Sequence, residues 1–147
     1  SGVKAVFKTL KRGGFSIILP DHVPEPSGGV VVPFFGVKTL TSTLAPKLAS
    51  KTKCALVGLS CIRRDDNRGF DIYCYKLDDP ALYDRNTEVA THALNIAMQE
   101  MIEDQCSHYM WGYRRFKRIP NLGNPYRADR SKLQAFLKSA KDKRYKT

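Results

Sequence analysis

The chain has 147 residues, of which 42% are apolar and 27% charged, and it carries a net charge of +11. This balance excludes a disordered polyelectrolyte and predicts a folded domain with a real core. The longest apolar runs, Phe15–Leu19 and Val30–Val37, fall far short of the ~20 residues of a spanning helix, and no signal-peptide apolar region is visible.

Val3, Val6, Phe7 and Leu10 recur at helical spacing, and Gly13-Gly14 ends that helix. Phe15–Leu19 reads as a short buried strand closed by Pro20. Asp21 to Gly29 is a Pro/Gly loop. It follows a strand end, where open α/β sheets place their ligands. Val30–Val32 is β-branched and is expected to break at Pro33-Phe34-Phe35-Gly36. Leu40, Leu44 and Leu48 recur every four residues and predict a helix over 39–52. Pro46 then requires a kink, or a later helix start near it. Ala55–Ile62 and Phe70–Leu77, joined by a polar turn, predict an antiparallel hairpin. Thr87 is expected to cap a helix running to about Gln105. Residues 107–128 look irregular. Asp129 is expected to cap a last helix with Leu133, Phe136, Leu137 and Ala140 on one face, which is expected to pack on the domain, the alternative being a helix lying on a membrane surface. The series predicts an α/β sandwich with a mixed sheet.

The four cysteines, Cys54, Cys61, Cys74 and Cys106, show no CxxC spacing. Three lie in or beside the expected strands as buried free thiols, which suits a reducing compartment. The three histidines, His22, His92 and His108, do not cluster with them, so no metal site is expected. Between Gly112 and Thr147 there are 12 Lys/Arg against 2 Asp/Glu, so nearly all the excess charge lies in the last quarter. Such a block suits an anionic partner (nucleic acid, membrane lipid or phosphorylated substrate) or is simply solvated.

No nucleophile elbow, Walker A loop or dinucleotide glycine motif is present. None of the histidines is followed four to six residues later by an acid that could orient it as a base. Asp21-His22 is the one titratable pair placed for a site, although an Asp after a strand also caps turns. Tyr109 to Arg118 alternates aromatic and cationic groups. That pattern suits phosphate binding, and equally an anchored surface segment.

Four stretches together resemble the bacterial lipid A biosynthesis lauroyl/myristoyl acyltransferase family. They are Leu19-Pro20-Asp21-His22, Val32-Pro33-Phe34-Phe35-Gly36, the Arg63-Arg64 strand end, and Tyr109-Met110-Trp111-Gly112-Tyr113-Arg114-Arg115-Phe116-Lys117-Arg118-Ile119-Pro120. Their order and spacing agree over Val3–Pro120. His22 stands where Gln is usual, Tyr113 where His is common, and Ile119 is inserted before Pro120.

The resemblance implies the C-terminal portion of a glycerolipid-acyltransferase-like fold over residues 1–120, followed by a basic extension with a helix over 121–147. It implies transfer of a fatty acyl chain from acyl carrier protein to a hydroxyl of a lipid A precursor, at the cytoplasmic face of the inner membrane and without a cofactor. The family's His-x4/5-Asp/Glu base and its membrane anchor are expected before Ser1, so the chain alone is expected to be inactive. Asp21, His22, Arg63, Arg64, Arg114, Arg115 and Lys117 are the implied substrate-binding residues, and Phe34 and Phe35 the implied walls of an acyl channel. The implied partners are acyl carrier protein, a phosphorylated glycolipid and the membrane surface. An incomplete sheet is further expected to expose an apolar face or to self-associate. The alternative reading is a basic binding module for RNA or anionic lipid.

Overall fold

The computed structural model describes residues 2–144, with side chains described through Ser139. The chain folds as mixed α/β. Helix α1 spans Gly2–Lys11, strands β1 and β2 span Gly29–Phe34 and Val37–Ser42, and helix α2 spans Leu44–Thr52. Strands β3 and β4 span Leu56–Arg63 and Phe70–Leu77, helix α3 spans Thr87–Asp104 and helix α4 spans Arg130–Arg144. The expected mixed sheet is corrected: the strands form two separate two-stranded antiparallel sheets, β1–β2 and β3–β4.

α3 organises the core. It packs against β1, β3, α2 and the 3₁₀ turn Pro80–Tyr83. Its Ala93, Leu94, Met98 and Ile102 are buried with Phe34 and Leu82. Asn86 rather than Thr87 caps it, its side chain accepting from the Glu88 N–H at 3.0 Å. The β3–β4 hairpin lies on α3 at Gly58, where a Cβ would sit within 3 Å of the Met101 side chain. Glycine is needed there for close approach.

β1 does not break at Pro33 but runs to Phe34, in register with β2 from Gly29↔Ser42 to Phe34↔Val37. Proline cannot donate to a ladder, and it is tolerated in this small sheet; its carbonyl accepts from the Asn95 side chain at 2.7 Å. Phe35 and Gly36 form a two-residue turn, both with positive φ (47° and 73°), the geometry that matches strand twist in a tight hairpin. Left-handed backbone is unusual for Phe. It is held here by the Phe35 N–H donating to Gln99 Oε1 at 2.7 Å.

The expected helix over 39–52 is really a strand followed by a helix. Thr39 and Thr41 alternate in β2, and both are fully buried. The helix begins at Leu44, which puts Pro46 in its first turn, where its missing N–H costs nothing. The four-residue leucine spacing spans the boundary between the two elements.

Phe15–Leu19 is not a buried strand. It is irregular, and Phe15, Ile17 and Leu19 are 85%, 77% and 61% exposed. Its composition is that of a core strand, but among the described residues no strand lies beside it to satisfy its backbone.

The cysteines are also not buried. Cys61, Cys74 and Cys106 are exposed and Cys54 is half-buried. Cys61 and Cys74 belong to the outer face of the β3–β4 hairpin, with Val57, Leu59, Phe70 and Ile72, whereas the other face packs toward α3. The outer face of this hairpin thus exposes a group of apolar side chains.

Asp129 caps α4 as expected, accepting from the Lys132 N–H at 2.8 Å. Of the α4 side chains expected to pack, Leu133 and Phe136 are half-buried and Leu137 is exposed. Ala140 lies outside the described side chains.

Candidate functional site

The two segments singled out by their chemistry, the Asp21-His22 loop and the 109–118 stretch, come together although about ninety residues separate them. The Tyr109 hydroxyl donates to Asp21 Oδ2 at 3.1 Å. The Val23 N–H donates to the Tyr113 hydroxyl at 2.9 Å, and the His22 ring lies 5.1 Å from the Tyr113 ring. The Arg118 guanidinium pairs with Glu25 at 3.4 Å. Lys117 Nζ stands 5.7 Å from the Tyr113 ring, and the Arg114 guanidinium 5.8 Å from the Tyr126 ring. Asp21 is half-buried, while His22 and Arg114 are exposed. The result is one carboxylate and one imidazole beside a cationic, aromatic rim.

The local sequence explains this geometry. Pro20 and Pro24 stiffen the loop that presents Asp21. Tight turns, Trp111 N–H to Tyr109 O at 2.8 Å and Tyr113 N–H to Met110 O at 3.0 Å, aim Tyr109 and Tyr113 at that loop. The end of the stretch is tied to β2, because the Leu40 N–H donates to Arg118 O at 3.1 Å. Ile119 and Leu122 are buried beyond it.

Burial above all, reinforced by the Asp21 charge and hydrogen bond, holds the Tyr109 phenol well above the usual tyrosine range. Tyr109 is therefore a neutral donor at physiological pH. It fixes one carboxylate oxygen of Asp21 and so orients the group.

Arg115 plays a different part from Arg114 and Lys117. It is 2% exposed; Nη1 donates to Leu40 O at 2.9 Å and Nη2 to Thr41 Oγ1 at 2.7 Å. Its guanidinium also lies 4.8 Å from the centre of the Phe34 ring. Burial pulls its pKa down, opposed chiefly by the neighbouring Tyr109 and Asp21. It binds the site segment to the β1–β2 hairpin from within.

Phe34 is 1% exposed, in the core, and Phe35 sits at the hairpin turn with its ring 6.1 Å from Trp111. Arg63 and Arg64 are not brought to this cluster. Arg64 pairs with Asp66 and Asp71 within its own hairpin, at 3.4 and 3.3 Å. Arg63 lies over the Phe70 ring.

Sequence reasoning missed the individual roles of Tyr109 and Tyr113. It also missed the buried polar support behind Arg115, in which Asn95 Nδ2 reaches Thr41 Oγ1 at 3.3 Å. One signal was available: Thr91 and Asn95, four residues apart, interrupt the apolar face of α3, and polar groups on a core face need partners.

The order of these motifs and the geometry that joins them define a class. The chain belongs to the bacterial lipid A biosynthesis acyltransferase family, whose pattern matches residues 1–118. Among its relatives is the lipid A biosynthesis lauroyltransferase of Escherichia coli (strain K12). It is 32% identical over 120 residues, which are 80% of this chain and 39% of the relative. The chain thus spans about two fifths of the length of the curated relative it matches.

Proposed function

We propose that this chain forms the substrate-facing part of an enzyme that moves a fatty acyl chain from acyl carrier protein to a hydroxyl of a lipid A precursor, at the cytoplasmic face of the inner membrane. The fold reading that goes with it is the C-terminal portion of a glycerolipid-acyltransferase-like domain. The single observation that carries the proposal is the meeting of the Asp21 loop with the Tyr109–Pro120 motif, in a chain of this family.

In such a reaction a general base takes the proton of the acceptor hydroxyl, and its oxygen attacks the thioester carbonyl. The tetrahedral oxyanion collapses to the ester, and the thiolate leaves and takes up a proton. No histidine of this chain has the acid spacing of that base, and Asp21 is engaged by Tyr109. The base is therefore assigned to a part of the protein other than these residues, and the chain by itself is expected to be inactive.

Arg114 and Lys117 are the groups placed to meet a phosphate of the acceptor or an acidic surface of the carrier protein. Asp21, oriented by Tyr109, is placed to hold an acceptor hydroxyl, with His22 beside it. Phe35, next to Trp111, is the better candidate of the two phenylalanines for contact with an acyl chain, because Phe34 is closed inside the core.

The test is transfer of a labelled acyl group from acyl carrier protein to a lipid A precursor by the whole protein, with R114A/K117A as the variant. A rise in KM for the acceptor or the carrier supports the assignment, and unchanged kinetics remove these two residues from it.

A further inference from the structure

The 109–118 turn presents two apolar side chains that the site does not use. Met110 is 72% exposed and Trp111, beside it, 55% exposed. Single exposed apolar residues are ordinary, but this pair is held and surrounded in a particular way. The Trp111 indole N–H donates to Cys106 O at 2.8 Å, the Tyr109 ring meets it edge-on at 4.9 Å, and the Phe35 ring flanks it at 6.1 Å. These contacts fix the orientation of the indole and leave about half of it exposed.

Cations follow the tip along the chain. Arg114 is exposed three residues on and Lys117 lies at the Tyr113 ring. Arg127, Arg130, Lys132 and Lys138 follow, all exposed. The 12-to-2 excess of basic over acidic residues begins at Gly112, immediately after the tip. The tip is also one residue from Tyr109, which holds Asp21.

We infer that Met110 and Trp111 insert into the headgroup layer of an anionic lipid bilayer, while Arg114, Lys117 and the basic residues after them grip lipid phosphates. An apolar tip with an amphipathic indole, followed by basic residues, is the composition of an interfacial anchor. Inserted this way, the tip brings the Asp21 loop to the level of a lipid-borne acceptor. The inference deepens the acyltransferase reading and rests on its acceptor being a membrane lipid. RNA would be drawn by the same charge. However, base stacking needs open ring faces, whereas Trp111 is flanked by Tyr109 and Phe35, and an exposed thioether gives a nucleic acid little to bind.

Trp111 is the single tryptophan of the chain, so its fluorescence reports on the tip alone. The chain is titrated with vesicles of phosphatidylglycerol and phosphatidylcholine, with phosphatidylcholine vesicles, and with a single-stranded RNA oligomer. The expected result is a blue shift with the anionic vesicles only, quenching of the emission by brominated acyl chains, and at least fivefold weaker vesicle binding by M110S with an unchanged far-ultraviolet spectrum. Three results would overturn the inference: no shift with anionic vesicles, vesicle binding that M110S leaves unaltered, or a response to RNA without one to vesicles. The readout needs no turnover. Vesicle binding by a whole protein that transfers no acyl group would therefore count against the acyltransferase reading alone, and turnover of a detergent-dispersed acceptor by the whole protein without vesicle binding against the anchor alone.

Discussion

Replacing Arg115 by Met separates the guanidinium from its aliphatic stem. Methionine keeps most of the apolar contact with Phe34 and fills much of the same volume. What is removed is a pair of charge-assisted hydrogen bonds, to Leu40 O at 2.9 Å and Thr41 Oγ1 at 2.7 Å. Hydrogen bonds to charged groups contribute about 1.5–3 kcal/mol each. Against this stands the cost of keeping a cation buried, which is several kcal/mol for an ion without a close counter-ion. Arg115 has no carboxylate within salt-bridge distance among the described residues, and its Nε has no partner. The two effects largely oppose each other. The balance tips toward loss because the Leu40 carbonyl and the Thr41 hydroxyl lose a donor inside the core; the Thr41 hydroxyl still donates to Thr39 O at 3.4 Å but accepts only the longer 3.3 Å contact from Asn95. We expect R115M to lose about 2 kcal/mol, a fall in Tm of roughly 4–8 °C for a domain near this size. R115K, which keeps the charge but not the fork, should fall between R115M and the parent. Thermal unfolding followed by circular dichroism measures all three. R115M with an equal or higher Tm would refute the reasoning and show that the buried cation is a net burden retained for another purpose.

Three further predictions concern other parts of the fold. The Tyr109 phenol is held above the usual tyrosine range in the folded chain, so the stability it contributes is complete below pH ~10 and declines as pH rises through the folded-state value; Y109F should show a shallower alkaline loss in pH-dependent denaturation, and an identical slope would contradict the contact. Asp129 is held below the usual carboxylate range, chiefly by Ser131 and then by the Lys132 N–H. Acidification through that range should therefore fray α4, and D129A should lower helical ellipticity at neutral pH while removing the acid dependence. On the outer face of the β3–β4 hairpin, L59K/I72K should leave the unfolding free energy within about 0.5 kcal/mol and abolish any concentration-dependent association seen by sedimentation; an unaltered association constant would place the contact elsewhere.

What was legible in the sequence followed from local physics. The hairpin of β3 and β4 was visible because two β-rich runs flank a polar turn, and α3 because apolar residues recur along it after a capping position, although Val89 and Ile96 are exposed and its buried apolar face is Ala90, Ala93, Leu94, Met98 and Ile102. β2 was hidden, since Leu40, Leu44 and Leu48 imitate one helix while Leu40 is in a strand and the other two are in α2. Phe15–Leu19 misled in the opposite way: its apolar residues describe a buried strand, but burial depends on neighbours that local pattern does not contain.

The candidate site divides along the same line. Asp21, His22 and the 109–118 stretch stood out by residue type and spacing, and the structure brings them together. Their contacts were invisible, because Tyr109 and Asp21 are 88 positions apart. Arg114, Arg115 and Lys117 read as one cationic group, yet Arg115 turns inward to β2 while Arg114 faces out. Arg63 and Arg64, taken from the motif resemblance, are instead held by Phe70, Asp66 and Asp71 in their own hairpin.

The central claim is that the loop of Asp21, oriented by Tyr109, lines the acyl-transfer site. Steady-state transfer from acyl carrier protein to the lipid A precursor, measured for the whole protein and its D21N variant, tests it most directly. The account predicts at least a tenfold fall in kcat/KM for D21N with the unfolding midpoint close to that of the parent. Transfer by D21N at the parent rate would contradict it.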